Sequence, residues 1–342
     1  MQTVYVGLSG GVDSAVAAYL LKEEGYRVVG AFIKGWEPDF LPCTGVEDRL
    51  AAMQVAAHLQ IPFVSYDLSE EYKKSVVDYF IAEYKVGRTP NPDVMCNRTI
   101  KFGAFWERVR ADGADFIATG HYARNPQGDA LGISDDKEKD QTYFLWTLTK
   151  DDLAHTLFPI GKYKKREVRK IAEKIKLPNA ARRDSQGLCF LGHVDMHAFL
   201  KRYLPTTVGT IYDTDGAKVG EHDGAWFYTL GQHVPVSGDK RLYVVSKDVD
   251  RNELVVAETP NSERGRISFT LTNVSWVSGT APTGKVLVQY RYHGPLVPAS
   301  VADSERDRIS LSLAEPVLAA PGQSLVVYSA NGKLCLGGGV IV

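Results

Sequence analysis

The sequence predicts an α/β protein with an N-terminal domain on a parallel sheet, a small β-rich central domain and a C-terminal antiparallel β-barrel. Three observations carry this. The first 200 or so residues alternate short apolar runs with helical patterns, the rhythm of βαβ units. Between 201 and 265 the runs shorten and are broken by Gly and Asp turns. From 266 the apolar residues recur at period two in closely spaced runs separated by Asp, Gly and Pro, as in a small barrel or sandwich. The expected domains are therefore 1–200, 201–265 and 266–342.

The elements follow in order. Residues 3–8 read as a buried strand, and 14–24 as a helix with Ala15, Val16, Tyr19 and Leu20 on one side. Residues 27–33 form a second strand, 48–59 a helix ending before Ile61-Pro62, and 63–67 a third strand. A helix is expected over 100–110, and a fourth strand over 116–118 entering Thr119-Gly120-His121. Right-handed crossovers place ligands at the carboxyl ends of such strands. Short runs at 209–212 and 225–230 precede period-2 runs at 267–271, 285–292, 308–313 and 324–328.

Composition narrows the class. Among 342 residues, 44% are apolar and 24% charged, which excludes disordered, collagenous and coiled-coil chains. Forty basic residues oppose 41 acidic ones, so nucleic-acid binding would have to rest on a local patch. The four cysteines, 43, 96, 189 and 335, form no C-x-x-C pair. Zinc ribbons and disulfide frameworks are thus unsupported. There is no apolar run of membrane-spanning length and no signal-peptide pattern at the N-terminus, so the expectation is a cytoplasmic protein without membrane partners.

Ser9-Gly10-Gly11-Val12-Asp13-Ser14 joins the first strand to the first helix. It lacks the lysine of a Walker A loop. Two glycines let backbone approach an anion, and the helix start turns free N–H groups towards the same point. Asp13 is at odds with phosphate unless a cation lies between them. A tight turn with an N-cap serine is the bland alternative.

Cys96 lies in Gly87-Arg88-Thr89-Pro90-Asn91-Pro92-Asp93-Val94-Met95-Cys96-Asn97, and Cys189 in Asp184-Ser185-Gln186-Gly187-Leu188-Cys189-Phe190. The prolines stiffen the first segment and hold Asp93 three residues before Cys96. If Cys96 opens the helix over 100–110, the helix terminus, Arg98 and Lys101 all favour its thiolate. Arg182 and Arg183 supply positive charge for Cys189. Cys43 and Cys335 lack such settings and read as inert buried residues.

Taken together, the S-G-G-V-D-S string, the G-R-T-P-N-P-D-V-M-C-N block, Thr119-Gly120-His121-Tyr122-Ala123 and D-S-Q-G-L-C-F resemble, in order, the bacterial tRNA-specific 2-thiouridylases of the pyrophosphate-loop ATPase superfamily. The resemblance extends over Lys139-Asp140-Gln141-Thr142-Tyr143-Phe144-Leu145, Gly231-Gln232 and Cys335-Leu336-Gly337-Gly338-Gly339, and so spans essentially the whole chain. The stretch after Gly231-Gln232 is shorter than in some members, and the tail stops soon after the triple glycine.

The resemblance implies an adenine-nucleotide α-hydrolase-like, nucleotide-binding first domain. It also implies a tRNA-uridine 2-sulfurtransferase that uses ATP with Mg²⁺, releasing pyrophosphate and AMP. Cys189 would carry sulfur as a persulfide, Cys96 would be the partner nucleophile, with a Cys96–Cys189 disulfide as one outcome, and Asp93 the candidate acid/base. Gly7, Leu8, Ser9, Gly10, Gly11, Val12, Asp13, Ser14, Ile33 and Gly120 match the ATP site. Asn91, Pro92 and Asp93 match the segment receiving the target base, and His121, Lys139, Asp140, Gln141, Arg291, Tyr292 and Gln323 match tRNA contacts. The implied partners are tRNA and a persulfide sulfur donor protein, and the implied state is a monomer. His121 as a satisfied strand-end histidine, Arg291-Tyr292 as an exposed strand end and Lys139 as part of a solvated loop are the plainer alternatives.

Residues 162–183 hold ten Lys/Arg against Glu167 and Glu173, a local +8. Val168, Ile171, Ala172 and Ile175 fall at helical spacing, so the expectation is an amphipathic helix with a cationic outer face that tracks RNA phosphates towards Cys189. Two other functions fit parts of the sequence. An amidotransferase-linked synthetase would not need both cysteines. An RNA-binding regulator would not release pyrophosphate.

Overall fold

The computed structural model describes residues 1–41, 45–184, 189, 195–235, 241–259, 265–305 and 308–342, the side chains of 303–305 excepted. Cys43, and 185–188 and 190 of the second cysteine block, lie outside the described residues.

The first sheet is built from β1 (Thr3–Gly7), β2 (Arg27–Lys34), β3 (Phe63–Asp67), β4 (Phe116–Ala118) and a late short strand, Thr156–Leu157. Every pairing is parallel, and the order is β3-β2-β1-β4 with Thr156–Leu157 at the edge. Val4, Val6, Val28 and Ala31 are buried because helices cover both faces, as a parallel sheet requires. Helix α1 (Val12–Glu23) and α2 (Gly45–Leu59) share one apolar core with β1 and β2. Residues 69–85 form α3 and 92–111 form α4; each carries a π-helical stretch, Lys73–Val77 and Asn97–Ala104.

After β4 come β5 (Ala123–Arg124) and β6 (Leu131–Ile133), then α5 (Lys150–Ala154), β7 (Thr156–Leu157), α6 (Lys165–Lys174) and α7 (Met196–Leu200). The central region is a five-stranded sheet of β8 (Gly209–Tyr212), β9 (Lys218–His222), β10 (His233–Val234), β11 (Leu242–Asp248) and β12 (Glu253–Ala257), in the order β10-β11-β12-β8-β9. The C-terminal region contributes β13 (Arg266–Trp276), β14 (Lys285–Gln289), β15 (Val297–Glu305), β16 (Arg308–Val317), β17 (Ser324–Tyr328) and β18 (Leu334–Ile341). Pairing of β13 with β18 closes these six antiparallel strands into a barrel.

The hairpin β5–β6 has no counterpart among the expected elements. It leaves the N-terminal region and joins the barrel sheet, with Leu334 opposite Gly132 and Cys335 opposite Leu131. Beside it Trp146 is fully buried and donates its indole N–H to Ser324 Oγ at 3.0 Å. Tyr143 donates its hydroxyl to the Ser324 carbonyl at 3.0 Å. The two ends of the chain therefore share one core. Among the described residues no helix is long and apolar enough to cross a membrane.

Candidate active site

Strands β2 and β3 lie on one side of β1 and β4 on the other, so the connections leaving β1 and β4 diverge. Such a switch point opens a crevice at the carboxyl ends of the strands. The glycine loop enters it from β1, and Thr119-Gly120-His121 from β4.

The loop closes on itself. Ser14 Oγ accepts the Ser9 N–H at 3.3 Å and donates to the Gly11 carbonyl at 3.1 Å; the Gly11 N–H donates to Ser9 Oγ at 3.3 Å. Gly10 has φ 75°, where a side chain is strained, and a Cβ there would lie 2.7 Å from Arg182 Nη1 and from the Asp48 carbonyl oxygen. Asn179 Nδ2 donates to the Gly10 carbonyl at 2.8 Å and Arg182 Nη1 at 3.2 Å. Gly120 is pressed on the same loop: a Cβ would meet Ser14 N at 2.7 Å. Helix α1 starts from Gly11 without a side-chain cap, so its first turn presents free N–H groups to an anion. Leu8, Val12 and Ile33 are buried beneath this surface, and Gly7 ends β1.

Lys165 supplies the cation that Asp13 called for. Its Nζ lies 2.8 Å from both carboxylate oxygens, and the Tyr122 hydroxyl donates to Oδ1 at 3.1 Å. The same ammonium is 2.7 Å from Asp184 Oδ1. Arg169 reaches Asp184 at 2.5 Å and donates to the carbonyls of Ala180 and Arg182. Burial works to raise the Asp184 pKa, but Lys165 and Arg169 outweigh it and hold the carboxyl below its usual range. Lys139 completes the cluster at 3.4 Å. This corrects the expected outer face of α6: Lys165, only 15% exposed, and Arg169 turn inward. Lys162, Lys164, Arg166, Lys170, Lys174, Lys176 and Arg183 remain exposed.

The two cysteines meet. Cys96 is buried, Cys189 is partly exposed, and their thiols hydrogen-bond to each other. Asn91 caps α4 by accepting the Val94 N–H at 3.4 Å, and Pro92 occupies the first turn. Asp93 Oδ1 accepts the Cys189 N–H at 3.2 Å, while the Tyr72 hydroxyl donates to the Cys189 carbonyl at 2.6 Å. Burial pushes the Asp93 carboxyl up, against the pull of Lys101.

The expected activation of Cys96 is reversed. It sits inside the continuous helix rather than opening one, and burial, together with Cys189 beside it, pushes its thiol well up. Cys189 is the lowered one, at about 7, through the hydrogen bond from Cys96 and the charge of Lys101. The nearby cation is thus Lys101 rather than Arg182, whose guanidinium pairs with Asp48 and the glycine loop.

His121 links the two halves of the site. Its Nδ1 is 2.7 Å from Thr119 Oγ1 and its Nε2 3.4 Å from Lys101 Nζ. An ammonium only donates, so Nε2 accepts and Nδ1 carries the proton. Burial and the Lys101 charge keep the ring neutral, its pKa well below the ordinary value. Its ring is buried. Asp140 accepts from Ser134 N and Thr142, and Gln141 Oε1 accepts the Tyr122 N–H at 2.9 Å, so both side chains brace the turn. Cys335 is buried and pushed up to about 12.

The barrel also reaches the site. Gln323 Nε2 donates to the Thr89 carbonyl at 2.8 Å and to that of Pro90 at 3.3 Å. Tyr292 packs on Phe144 at 4.5 Å between ring centroids, and the Phe144 carbonyl accepts from Asn97 Nδ2 at 2.9 Å, one residue from Cys96. Arg291 is exposed, its guanidinium over the Tyr290 ring. Among the described residues no group of three or more His, Cys, Asp or Glu is placed to hold a metal ion.

Comparison with known proteins places this architecture. Residues 2–193 match the model of the tRNA methyl transferase HUP domain, 197–258 the tRNA methyl transferase PRC-barrel domain, and 266–341 the aminomethyltransferase beta-barrel domain. The class is a HUP-domain protein carrying two β-rich modules. Within it, the chain is 44% identical to the tRNA-specific 2-thiouridylase MnmA of Nitrosomonas europaea, covering 99% of this chain and 98% of that one. It is 44% identical to the MnmA of Escherichia coli K12 over 99% and 96%. The chain belongs to the MnmA family. Among solved structures, U34-tRNA thiolase NcsA from Methanococcus maripaludis aligns at a TM-score of 0.38 and 18% identity, covering 60% of this chain and 67% of that one. NMN synthetase from Francisella tularensis aligns at 0.35 and 16%, covering 54% and 66%. Both likenesses are too slight to bear on function.

Proposed function

We propose that this protein is a cytoplasmic enzyme that replaces O2 of the wobble uridine of tRNA with sulfur, using ATP with Mg²⁺. One observation carries the reading: the glycine loop and the Asp93–Cys96–Cys189 cluster meet at one crevice, joined by Gly120 against Ser14 and His121 against Lys101. Membership of a family whose relatives are named tRNA-specific 2-thiouridylases supports the substrate.

The glycine loop suits a triphosphate. Its glycines leave room for close approach, and the uncapped start of α1 offers N–H donors. With Lys165 on Asp13, the carboxylate no longer repels phosphate. Uridine O2 attacks the α-phosphorus and pyrophosphate leaves, so that O2 later departs with AMP. Cys189, ionised near neutral pH, attacks the outer sulfur of a donor protein's persulfide, and the donor leaves as thiolate. The outer sulfur of the Cys189 persulfide then attacks C2 and AMP leaves. Cys96, once deprotonated, attacks Cys189 Sγ; the S–S bond to the base breaks, leaving 2-thiouridine and a Cys96–Cys189 disulfide for an external thiol to reduce. Splitting the displacement into activation and attack is the logic of covalent catalysis. Asp93, raised by burial, is suited to move protons on the same loop.

Asn91, Pro92 and Asp93 would receive the base, with Gln323 holding the backbone just before them. Lys139, Arg291 and Tyr292 and the exposed cations of α6 would contact the RNA. The test is mass spectrometry of nucleosides after incubation of the enzyme with tRNA, ATP and a persulfide donor. A uridine carrying sulfur in place of oxygen, with pyrophosphate released, is the expected result. Product formation by both Cys96→Ser and Cys189→Ser would overturn the assignment and favour an ammonia-using synthetase.

A further inference from the structure

Lys101 stands out among the groups around the thiols. It lies on the π-helical turn of α4, five residues after Cys96, where the wider turn brings both side chains to one side. Its neighbours on the same helix, Ile100 and Phe102, are buried, and Phe102 lies 5.9 Å from the His121 ring. An ammonium in such a place is costly unless paired. Here its partners converge: Asp93 and Cys96 from α4, Cys189 from the second cysteine block, and His121 from the end of β4. Among the described residues Tyr72 of α3 also faces the thiols, and burial, Cys96 and Cys189 all keep it protonated. Burial works to lower the Lys101 pKa, but the two sulfurs and Asp93 outweigh it and favour the charged ammonium.

We propose that Lys101 is the fixed cation of the thiol centre: it hydrogen-bonds the sulfur of Cys189 and keeps the anion at this position charged, first the Cys189 thiolate that accepts sulfur and then the terminal sulfur of the persulfide that delivers it. The inference deepens the thiolation reading and rests on it for the second half. In the first half, Cys189 S⁻ attacks the outer sulfur of a protein persulfide. The donor's S–S bond breaks, its electron pair leaves on the donor thiolate, and no net oxidation occurs. In the second, the charged persulfide keeps its terminal sulfur deprotonated for attack on an electrophilic carbon. His121 positions the ammonium: its neutral ring accepts one N–H and leaves the others for sulfur and Asp93. A protonated ring could not do this, because both ring nitrogens would then donate.

The experiment uses the full-length reduced protein and iodoacetamide, with Cys189 modification followed by peptide mass spectrometry across about pH 5.5–9.5, roughly two units either side of pH 7.5. Wild type is expected to show a midpoint near 7. Lys101→Met is expected to raise it by about 1–3 units, as loss of a neighbouring opposite charge does. Lys101→Arg, which keeps the charge, is expected to stay closer to wild type than Lys101→Met. Since Cys96 also hydrogen-bonds Cys189, the Lys101→Met shift is measured again in Cys96→Ser and is expected to persist. A Lys101→Met midpoint equal to wild type, with unchanged thermal unfolding, overturns the proposal. If Lys101→Met does not fold, wild type labelled with ¹³Cε-lysine decides. The Lys101 resonance must step with the Cys189 titration and lose that step when Cys189 is carbamidomethylated; a flat resonance overturns the proposal. None of this needs ATP or RNA, so a negative tRNA assay would remove the thiolation reading while leaving this result standing.

Discussion

Replacing Gly120 by Ala presses on the junction between β4 and the glycine loop. The new Cβ would lie 2.7 Å from Ser14 N, 2.8 Å from the Asp13 carbonyl carbon and 3.1 Å from Asp13 Cβ. Ordinary contact begins at 3.4 Å, so the overlap on Ser14 N is 3.4 − 2.7 = 0.7 Å. Two of these atoms are backbone in the first turn of α1 and cannot swing aside. The loop must shift by an amount comparable to the ~0.5 Å within which a binding constellation has to be held. Overpacking of this kind costs about 1–3 kcal/mol. Gly7→Ala is the matched control, because its Cβ meets only the Ala118 carbonyl oxygen, at 3.8 Å. Alanine in a strand interior is worth about 0.5–1 kcal/mol over glycine. Urea unfolding and ATP-binding calorimetry on both variants read the difference. Gly120→Ala should lose stability and weaken ATP binding about tenfold or more, since misplacements of this size are costly at a site. Gly7→Ala should match or exceed wild-type stability. Wild-type behaviour of Gly120→Ala, or equal losses in both, would refute the claimed contact.

Three further outcomes are expected. Reversing Lys164, Arg166 and Lys170 to Glu should weaken tRNA binding and flatten its dependence on salt by roughly 0.7–0.9 log units for each phosphate no longer neutralised, with stability little changed. His121 is held neutral in the folded protein, while the unfolded chain takes up a proton below about pH 6.5. Its contribution to stability is therefore present above that pH and is lost as pH falls towards the depressed folded value, by up to about 1.4 kcal/mol per unit. Urea melts of wild type and His121→Asn between pH 5 and 7.5, spanning about one unit either side of the ordinary histidine pKa, check the sign: the variant should show the shallower slope. Gln323→Ala removes two donations to the 89–90 backbone, should cost about 0.5–1.5 kcal/mol each at most, and should slow thiolation more than it weakens ATP binding, as seen in single-turnover assays.

Much of the fold is legible from spacing. The βα rhythm locates β1 to β4, and with them the crevice, because parallel strands covered on both faces are written as continuous apolar runs. Strand β15 leaves no such trace because Pro298 and small polar residues interrupt it; Pro298 sits opposite Leu287 in the paired register. The hairpin β5–β6 is too short to show a period. The inward turn of Lys165 and Arg169 is written in the chain but obscured by counting charge. Positions 165, 168, 169 and 172 share one helical stripe, and Val168 and Ala172 are its buried members. What spacing cannot give is the matching anions: Asp13 is 152 residues from Lys165. Lys101 misleads for a similar reason. Proximity in sequence ties it to Cys96, whereas folding brings it to Cys189 as well, and the deeper thiol is the one that stays protonated.

The hairpin shared with the barrel bears on how this molecule can be dissected. A chain truncated near residue 265 would keep β5 and β6 but lose β18, leaving Leu131–Ile133 as a bare edge. Trp146 and Tyr143 would lose Ser324, and the apolar faces of two large aromatic side chains would be exposed to water. Exposed strand edges beside apolar surface recruit other copies. The isolated N-terminal fragment is thus a candidate for aggregation rather than a minimal enzyme, and its failure to act would say nothing about the chemistry of its cysteines.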